Sequence, residues 1–154
     1  FGREVDGEEM ALRYQDYISQ QGQSFPGAED MLAKLVERGY QLYGATNGVT
    51  AIQQGRLKKS AITPYFKEIF ISEQLGTQKP EVDFYEKIGN LIPEFAKEQA
   101  LMIGDSLTAD IAGGNASGID TVWYNPDHKE NTSPAVPTYE VDFYEALLAL
   151  LRKD

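Results

Sequence analysis

The chain has 154 residues, of which 42% are apolar, a proportion that predicts one globular domain. Its formal net charge of −10 at pH 7 argues against nucleic acid and anionic membranes as partners, because both bind to basic patches. Cysteine is absent, which excludes a disulfide framework and thiolate metal sites and favours a cytoplasmic setting.

The first predicted element is an amphipathic helix between Val5 and about Gln20, where apolar residues recur at helical spacing. Tyr14 and Tyr17 lie on it, and aromatic residues at this spacing more often pack a core than contact a ligand. A turn at residues 25–27 follows, and then a second helix that ends at Gly39. Five apolar residues of that helix share one face: Ala28, Met31, Leu32, Leu35 and Val36.

A short apolar strand is predicted from Tyr40 to Ala45, and it ends at the polar sequence Thr46-Asn47-Gly48. A hydroxyl followed by main-chain amides at the end of a buried strand can cradle a phosphate group. Taken alone, the same residues are more typical of a turn or a helix N-cap. The next predicted helix, Val49 to about Ser60, ends in basic residues that suit the negative end of its dipole.

A brief strand is predicted at Ile69–Ile71, and the loop SEQLGTQKP after it is expected to lack regular structure. Pro80 restricts Lys79 to an extended conformation, from which its ammonium can point at a phosphate. A single lysine is more often a solvated surface charge, so Lys79 alone is a weak signal. A helix is predicted from Glu81 to Leu91.

Residues 100–125, ALMIGDSLTADIAGGNASGIDTVWYN, predict one β-α-β unit of a parallel sheet. The first strand is a continuous apolar run, as expected for a strand buried on both faces. Asp105 follows that strand directly, at the edge where open α/β sheets bind their ligands. Asp110 lies in the first turn of the next helix, which Gly118 ends. The unit therefore places two carboxylates at one edge of the sheet.

Two carboxylates at this edge suit Mg²⁺, which prefers oxygen ligands and usually takes one or two carboxylates. Asp105 is better placed as a direct ligand, whereas Asp110 is better placed to hold a metal-bound water or to orient its neighbour. The alternative is that Asp105 caps the helix, with Ser106 or Thr108 as N-cap, and that Asp110 is a solvated acid favoured by the helix dipole. The segment alone leaves both interpretations open.

The last part of the chain begins with a polar, proline-rich stretch at residues 125–138 that predicts a loop. His128, the single histidine, lies in it, and a solvated loop histidine is more typical than a catalytic one. Tyr139–Val141 predicts an edge strand. An amphipathic closing helix follows between Phe143 and Leu151.

Three of these segments, taken together, resemble a known family. Thr46-Asn47, Lys79-Pro80 and GDSLTAD occur in the order and strand context of motifs two, three and four of the haloacid dehalogenase-like hydrolases. The lines ISEQLGTQKP and GDSLTADIAGGNASGIDTVWYN are most similar to its pyrimidine-specific 5′-nucleotidase branch. The resemblance implies an α/β fold: a Rossmann-like three-layer parallel sheet over residues 25–154, with residues 1–24 as the end of a helical cap.

The resemblance also implies a function, a magnesium-dependent phosphomonoester hydrolase that forms an aspartyl-phosphate. The expected substrate is a small phosphorylated metabolite, with a nucleoside monophosphate suggested by the 5′-nucleotidase branch. A phosphomutase of the same fold and a non-catalytic Rossmann-like binding module are the alternatives. The implied roles are catalysis for Lys79, Thr46 and Asp110, phosphate binding for Thr46, Asn47, Gly48 and Lys79, and Mg²⁺ binding for Asp105 and Asp110.

One departure from the family concerns its first motif, DxDxT, which supplies the nucleophilic aspartate on the first strand. No DxD followed by a threonine occurs in this sequence. We therefore expect a carboxyl-terminal portion of such an enzyme, with the nucleophile on an N-terminal segment outside the chain. In the family that strand lies between the strands that end at Thr46 and at Asp105. Because each buried unpaired main-chain group costs about 1–3 kcal/mol, we expect either a further strand between these two or their direct pairing.

Overall fold

The computed structural model describes residue 22 and residues 24–152. Its strands are β1 (Tyr43–Thr46), β2 (Glu68–Ile71), β3 (Leu101–Gly104), β4 (Asp120–Tyr124) and β5 (Tyr139–Val141). Its α-helices are α1 (Ala28–Glu37), α2 (Thr50–Lys59), α3 (Ser72–Leu75), α4 (Val82–Leu91), α5 (Ala112–Ser117) and α6 (Tyr144–Leu150). Short 3₁₀ turns lie at Thr63–Tyr65 and Lys97–Gln99, and a π-helical turn at Leu107–Ile111 leads into α5. The helix predicted between Val5 and Gln20, with Tyr14 and Tyr17, lies outside the described residues.

In the described part of the chain the strands form two parallel sheets, one of β1 and β2 and one in the order β3-β4-β5. Gly44 is in register with Ile69, and Ile103 with Val122. The carboxyl ends of paired strands therefore share one edge. This arrangement confirms the α/β class and the β-α-β unit. As predicted, β5 is an edge strand of the second sheet.

Helix α4 packs against both sheets. Helical spacing predicts an apolar face of Phe84, Ile88 and Leu91. Phe84 and Ile88 are buried, together with Tyr85, whereas Leu91 is 54% exposed. The three buried residues form one cluster with Phe70, Ile119 and the partly buried Tyr43, Ala45, Ala100 and Met102. Because this cluster includes side chains from β1, β2 and β3, the two sheets are joined across one face without a shared ladder of hydrogen bonds.

Neither arrangement expected for β1 and β3 occurs among the described residues. The two strands do not pair with each other, and no further described strand pairs with the open edge of either. The prediction was wrong because its energy cost applies to buried groups. Every residue of β1 and β3 is partly exposed, so their edge N–H and C=O groups can be hydrated. By contrast, Phe70 of β2 and Val122 of β4 are 3% and 0% exposed.

The loop predicted after β2 begins instead with the helical turn α3. The N–H of Gly48 donates to Ser72 Oγ at 3.0 Å, and the N–H of Thr50 donates to Glu73 Oε2 at 2.7 Å. These contacts come from the start of α2, so tertiary structure rather than local sequence stabilises the turn. Within the described ranges no helix combines the length and the apolar character that a bilayer span requires.

Candidate active site

The Lys79 ammonium connects the carboxyl ends of the two sheets. Lys79 Nζ lies 2.7 Å from Oδ1 of Asp110 and 2.9 Å from the main-chain oxygen of Ala45 on β1. The side chains of Lys79 and Asp110 are only 11% and 7% exposed. An ammonium has three N–H donors, and these two contacts use two of them. The third can serve an incoming oxygen atom.

The turn after β3 fixes the Asp110 carboxylate. Its Oδ2 accepts the N–H of Ser106 at 3.1 Å, and Ser106 Oγ accepts the N–H of Ala109 at 3.1 Å as the N-cap. Tyr85 donates its O–H between the carbonyls of Ala109 and Asp110, each 3.3 Å away. Burial and then the Asp110 charge raise the pKa of Tyr85, which keeps this donor protonated at neutral pH. Asp110 therefore has partners on both carboxylate oxygens.

The contacts of Asp110 define what its carboxylate does in this structure. With one oxygen on Lys79 and the other on the Ser106 amide, it is placed to orient the ammonium and the turn after β3. The roles that the sequence suggested for Asp110, binding Mg²⁺, holding a metal-bound water or orienting its neighbour, stay predictions. Each carboxylate oxygen keeps a second lone pair, so these two contacts do not by themselves prevent ligation of a metal.

Gly104, the last residue of β3, leaves space for the Asp110 carboxylate. A Cβ at position 104 would lie 2.1 Å from Asp110 Oδ2, closer than any non-bonded contact allows. We expect Gly104→Ala to displace this carboxylate from Lys79 and to lower the kcat of the full-length protein on the order of 10²-fold. Steady-state kinetics with p-nitrophenyl phosphate measures the effect.

Gly89→Ala is the matched control for this crowding. A Cβ at Gly89 would lie 2.8 Å from the Phe95 ring, away from the carboxyl ends of the strands. This variant should lower the melting temperature and leave kcat near that of the parent. An equal loss of kcat in both variants would show that the effect of Gly104→Ala comes from general overpacking and not from Asp110.

Asp105 lies at the end of β3 with its side chain exposed. Its main-chain oxygen accepts the indole N–H of the buried Trp123 at 3.1 Å, which anchors the backbone. Within the described ranges, no hydrogen bond or ion pair engages its carboxylate. The main chain of Asp105 is therefore held in place, while its carboxylate is exposed and available to a ligand.

A magnesium ion fits the described residues through Asp105. The described part of the chain contains no cluster of three acidic or histidine side chains that could enclose a metal. Mg²⁺ usually keeps several waters and binds one or two carboxylates together with substrate phosphate oxygens. The Asp105 carboxylate can serve as one such ligand. The other positions are then open to water, to a phosphate oxygen or to a carboxylate from outside the described residues.

The turn after β1 differs from the predicted phosphate cradle. The N–H of Gly48 already donates to Ser72 Oγ, so this amide is not available for a phosphate. The side-chain amide of Asn47 is bonded to the main chain of Lys79 at 2.9 Å. Among the described residues, the Thr46 hydroxyl makes one long contact, 3.4 Å to the Asn47 oxygen, and can turn towards a ligand. Thr46 and Lys79 are thus the open donors of the predicted set.

Three side chains that shape the site were not singled out from the sequence: Tyr85, Ser72 and Trp123. Tyr85 and Trp123 lie in stretches whose pattern indicates core packing, and no local signal separates their polar roles. His128 is not part of the site. Its side chain is 73% exposed, and Nε2 lies 3.7 Å from a carboxylate oxygen of Asp142.

Comparison with known proteins gives a consistent family assignment. The family model described as haloacid dehalogenase-like hydrolase matches residues 3–124. Over its full length, the chain is 62% identical to the pyrimidine 5′-nucleotidase PynA of Streptococcus pneumoniae. It is 36% identical over 133 residues, 83% of the chain, to the pyrimidine 5′-nucleotidase YjjG of Escherichia coli.

Among solved structures, the magnesium-bound HAD-hydrolase YfnB of Bacillus subtilis superposes with a TM-score of 0.90 at 41% identity. That match covers 99% of the chain and 66% of the YfnB chain. The chain likewise spans 65% of PynA and 56% of YjjG. These proteins are therefore longer than the chain described here.

Proposed function

The chain belongs to the haloacid dehalogenase-like hydrolase family, and we propose that it carries the charge-stabilising groups of a magnesium-dependent phosphomonoester hydrolase. The observation that carries this proposal is the Lys79 ammonium, held between Asp110 and the Ala45 carbonyl with one donor left over. The open Asp105 carboxylate lies at the end of the adjoining strand β3.

Each residue of the site has a distinct part in stabilising a phosphoryl group. Lys79 and Thr46 donate to its non-bridging oxygens, on which negative charge is spread in the transition state. Asp110 holds the ammonium in place before the substrate arrives. Asp105 would hold Mg²⁺, which would supply further positive charge to the same oxygens. Electrostatic stabilisation by fixed groups is the largest contribution in this type of reaction.

The nucleophilic aspartate, in this proposal, lies on a strand that enters between β1 and β3. Both strands have one open edge among the described residues, and neither has a buried residue, whereas β2 and β4 do. A carboxylate oxygen of that aspartate attacks phosphorus as the bond from phosphorus to the substrate oxygen breaks, and this oxygen takes a proton from solvent and leaves as an alcohol. Water then attacks the phosphorus of the aspartyl-phosphate, which releases inorganic phosphate and restores the carboxylate.

The proposed substrate is a pyrimidine nucleoside 5′-monophosphate. Its support is the 62% identity to PynA and the 36% identity to YjjG, both named pyrimidine 5′-nucleotidases. The described residues account for the phosphoryl end of such a substrate and not for its base. The absence of cysteine supports placing the reaction in the cytoplasm.

A substrate panel tests the proposal on the full-length protein that contains this chain. With Mg²⁺ present, we expect phosphate release from UMP, CMP and TMP to exceed that from AMP and GMP, and p-nitrophenyl phosphate to be hydrolysed as well. Uridine 3′-monophosphate is the control for the position of the phosphate. Equal rates with purine and pyrimidine nucleotides would contradict the base preference, and no release from any ester would contradict the hydrolase.

A further inference from the structure

We propose that Asn47 is a positioning residue that holds Lys79 at a fixed place beside Thr46, an inference that rests on the proposed function. The Asn47 carboxamide pairs with the main chain of Lys79 in both directions. Its Nδ2 donates to the Lys79 oxygen at 2.9 Å, and the Lys79 N–H donates to its Oδ1 at 2.9 Å. We call this pair the Asn47–Lys79 clamp.

The clamp and the Lys79 ammonium attach to the same short piece of chain. Asn47 holds the main chain of Lys79, while the Ala45 oxygen on β1 accepts from its Nζ at 2.9 Å. Thr46 lies between these two anchors. The separation of the Thr46 hydroxyl from the ammonium is therefore set by three consecutive residues at the end of one strand.

Lys79 needs such support because it lies in a loop. Residues 76–81 between α3 and α4 form neither helix nor strand. A lysine side chain has many rotamers, and ordering it at the moment of binding would weaken its interaction with the substrate. Groups that stabilise a transition state act best when they are fixed beforehand. The ion pair with Asp110 holds only the end of the Lys79 side chain. The clamp holds its main chain.

The chain contains a second pair of the same form, which serves as a reference. The Asn115 Nδ2 donates to the Val136 oxygen at 2.9 Å, and the Val136 N–H donates to Asn115 Oδ1 at 2.9 Å. Asn115 and Asn47 are both exposed. Asn115, however, holds the loop before β5 to helix α5 and contacts no group of the proposed site among the described residues. Replacing either asparagine by alanine removes two hydrogen bonds of the same kind.

A double-mutant cycle on the full-length protein tests whether Asn47 acts through Lys79. We expect Asn47→Ala to lower kcat on the order of 10- to 100-fold with p-nitrophenyl phosphate and with UMP alike. Asn115→Ala should change kcat by less than about twofold. In the Lys79→Met background, Asn47→Ala should have almost no further effect, because the group that it positions is gone.

Two results would overturn the inference. A kcat for Asn47→Ala close to that of the parent would show that the clamp has no part in the reaction. If the reductions in kcat caused by Asn47→Ala and Lys79→Met multiply in the double variant, the two residues act independently. The Asn47 amide would then act directly on the phosphoryl group, as the sequence alone suggested.

Hydrogen exchange at the Lys79 amide tests the clamp without reference to activity. Asn47→Ala should speed this exchange, because the amide loses its acceptor, and Asn115→Ala should leave it unchanged. Unchanged exchange in Asn47→Ala would refute the clamp even if the protein is a phosphatase. If the full-length protein hydrolyses no phosphate ester, the proposed function fails, and the exchange rate still decides whether the clamp exists.

Discussion

Lys79→Met in the full-length protein is expected to lower kcat on the order of 10² to 10³-fold. The loss should be the same for p-nitrophenyl phosphate and for nucleotides, because the ammonium acts on the phosphoryl group that these substrates share. Steady-state kinetics with both substrates measures it. A loss confined to nucleotides would contradict a role in catalysis and indicate recognition of the base.

The same substitution should lower stability, because it leaves Asp110 with no cation. Asp110 is only 7% exposed, and removing one partner of a buried ion pair costs about 3–5 kcal/mol. Lys79→Met/Asp110→Asn should therefore recover much of the free energy of unfolding but none of the activity. Recovery of activity in the double variant would show that Lys79 is structural and not catalytic.

Asp105→Asn is expected to abolish magnesium-dependent hydrolysis while leaving the fold intact. The variant removes one charge from an exposed carboxylate that has no partner among the residues described here. Stability should therefore change little, whereas a hard cation loses the open carboxylate at the end of β3. Kinetics at increasing Mg²⁺ concentration and Mn²⁺ binding followed by electron paramagnetic resonance measure the two effects.

Asp127→Asn is the matched control, since it also removes one exposed carboxylate, 71% exposed, from a loop. It should leave both Mn²⁺ binding and the rate unchanged. Activity of Asp105→Asn within a factor of about two of the parent would contradict the assignment of Asp105 as a metal ligand, given that losing a preorganised electrostatic group costs far more.

The β-α-β unit around Asp105 was predictable because its signals are local. An apolar run, a glycine stop and the left-handed Gly118, with φ of 70°, mark its boundaries, and both observed strands lie within the predicted residues 100–125. The same holds for α4, whose apolar face follows the helical repeat. The order of three short motifs, and not any one of them alone, identified Lys79, Thr46 and Asp105 as candidates.

The hydrogen bonds that join different elements at the site were not predictable, because each of them joins residues that are distant in sequence. Lys79 is 31 residues from Asp110 and 32 from Asn47. The sequence gives no sign that Ser72 occupies the Gly48 amide or that Tyr85 supports the turn at Asp110. Residue types could thus be assigned to the site from the sequence, but not the partner that each one has.

The positions of β1 and β3 show a different limit. The sequence predicted both strands correctly but assumed that their edges must be paired. Partial exposure of both strands removes that requirement, since hydrated edge groups cost little. The open edges remain the structural basis for placing the nucleophile on a strand between them.

Borohydride reduction during turnover tests most directly where the nucleophile lies. The reagent converts an aspartyl-phosphate into homoserine, which peptide mass mapping of the full-length protein can locate. We predict homoserine at an aspartate outside residues 1–154, with Asp105 and Asp110 unmodified. Homoserine at Asp105 or Asp110, or at no position while the enzyme turns over, would contradict the proposal that these residues stabilise charge around a nucleophile supplied from another strand.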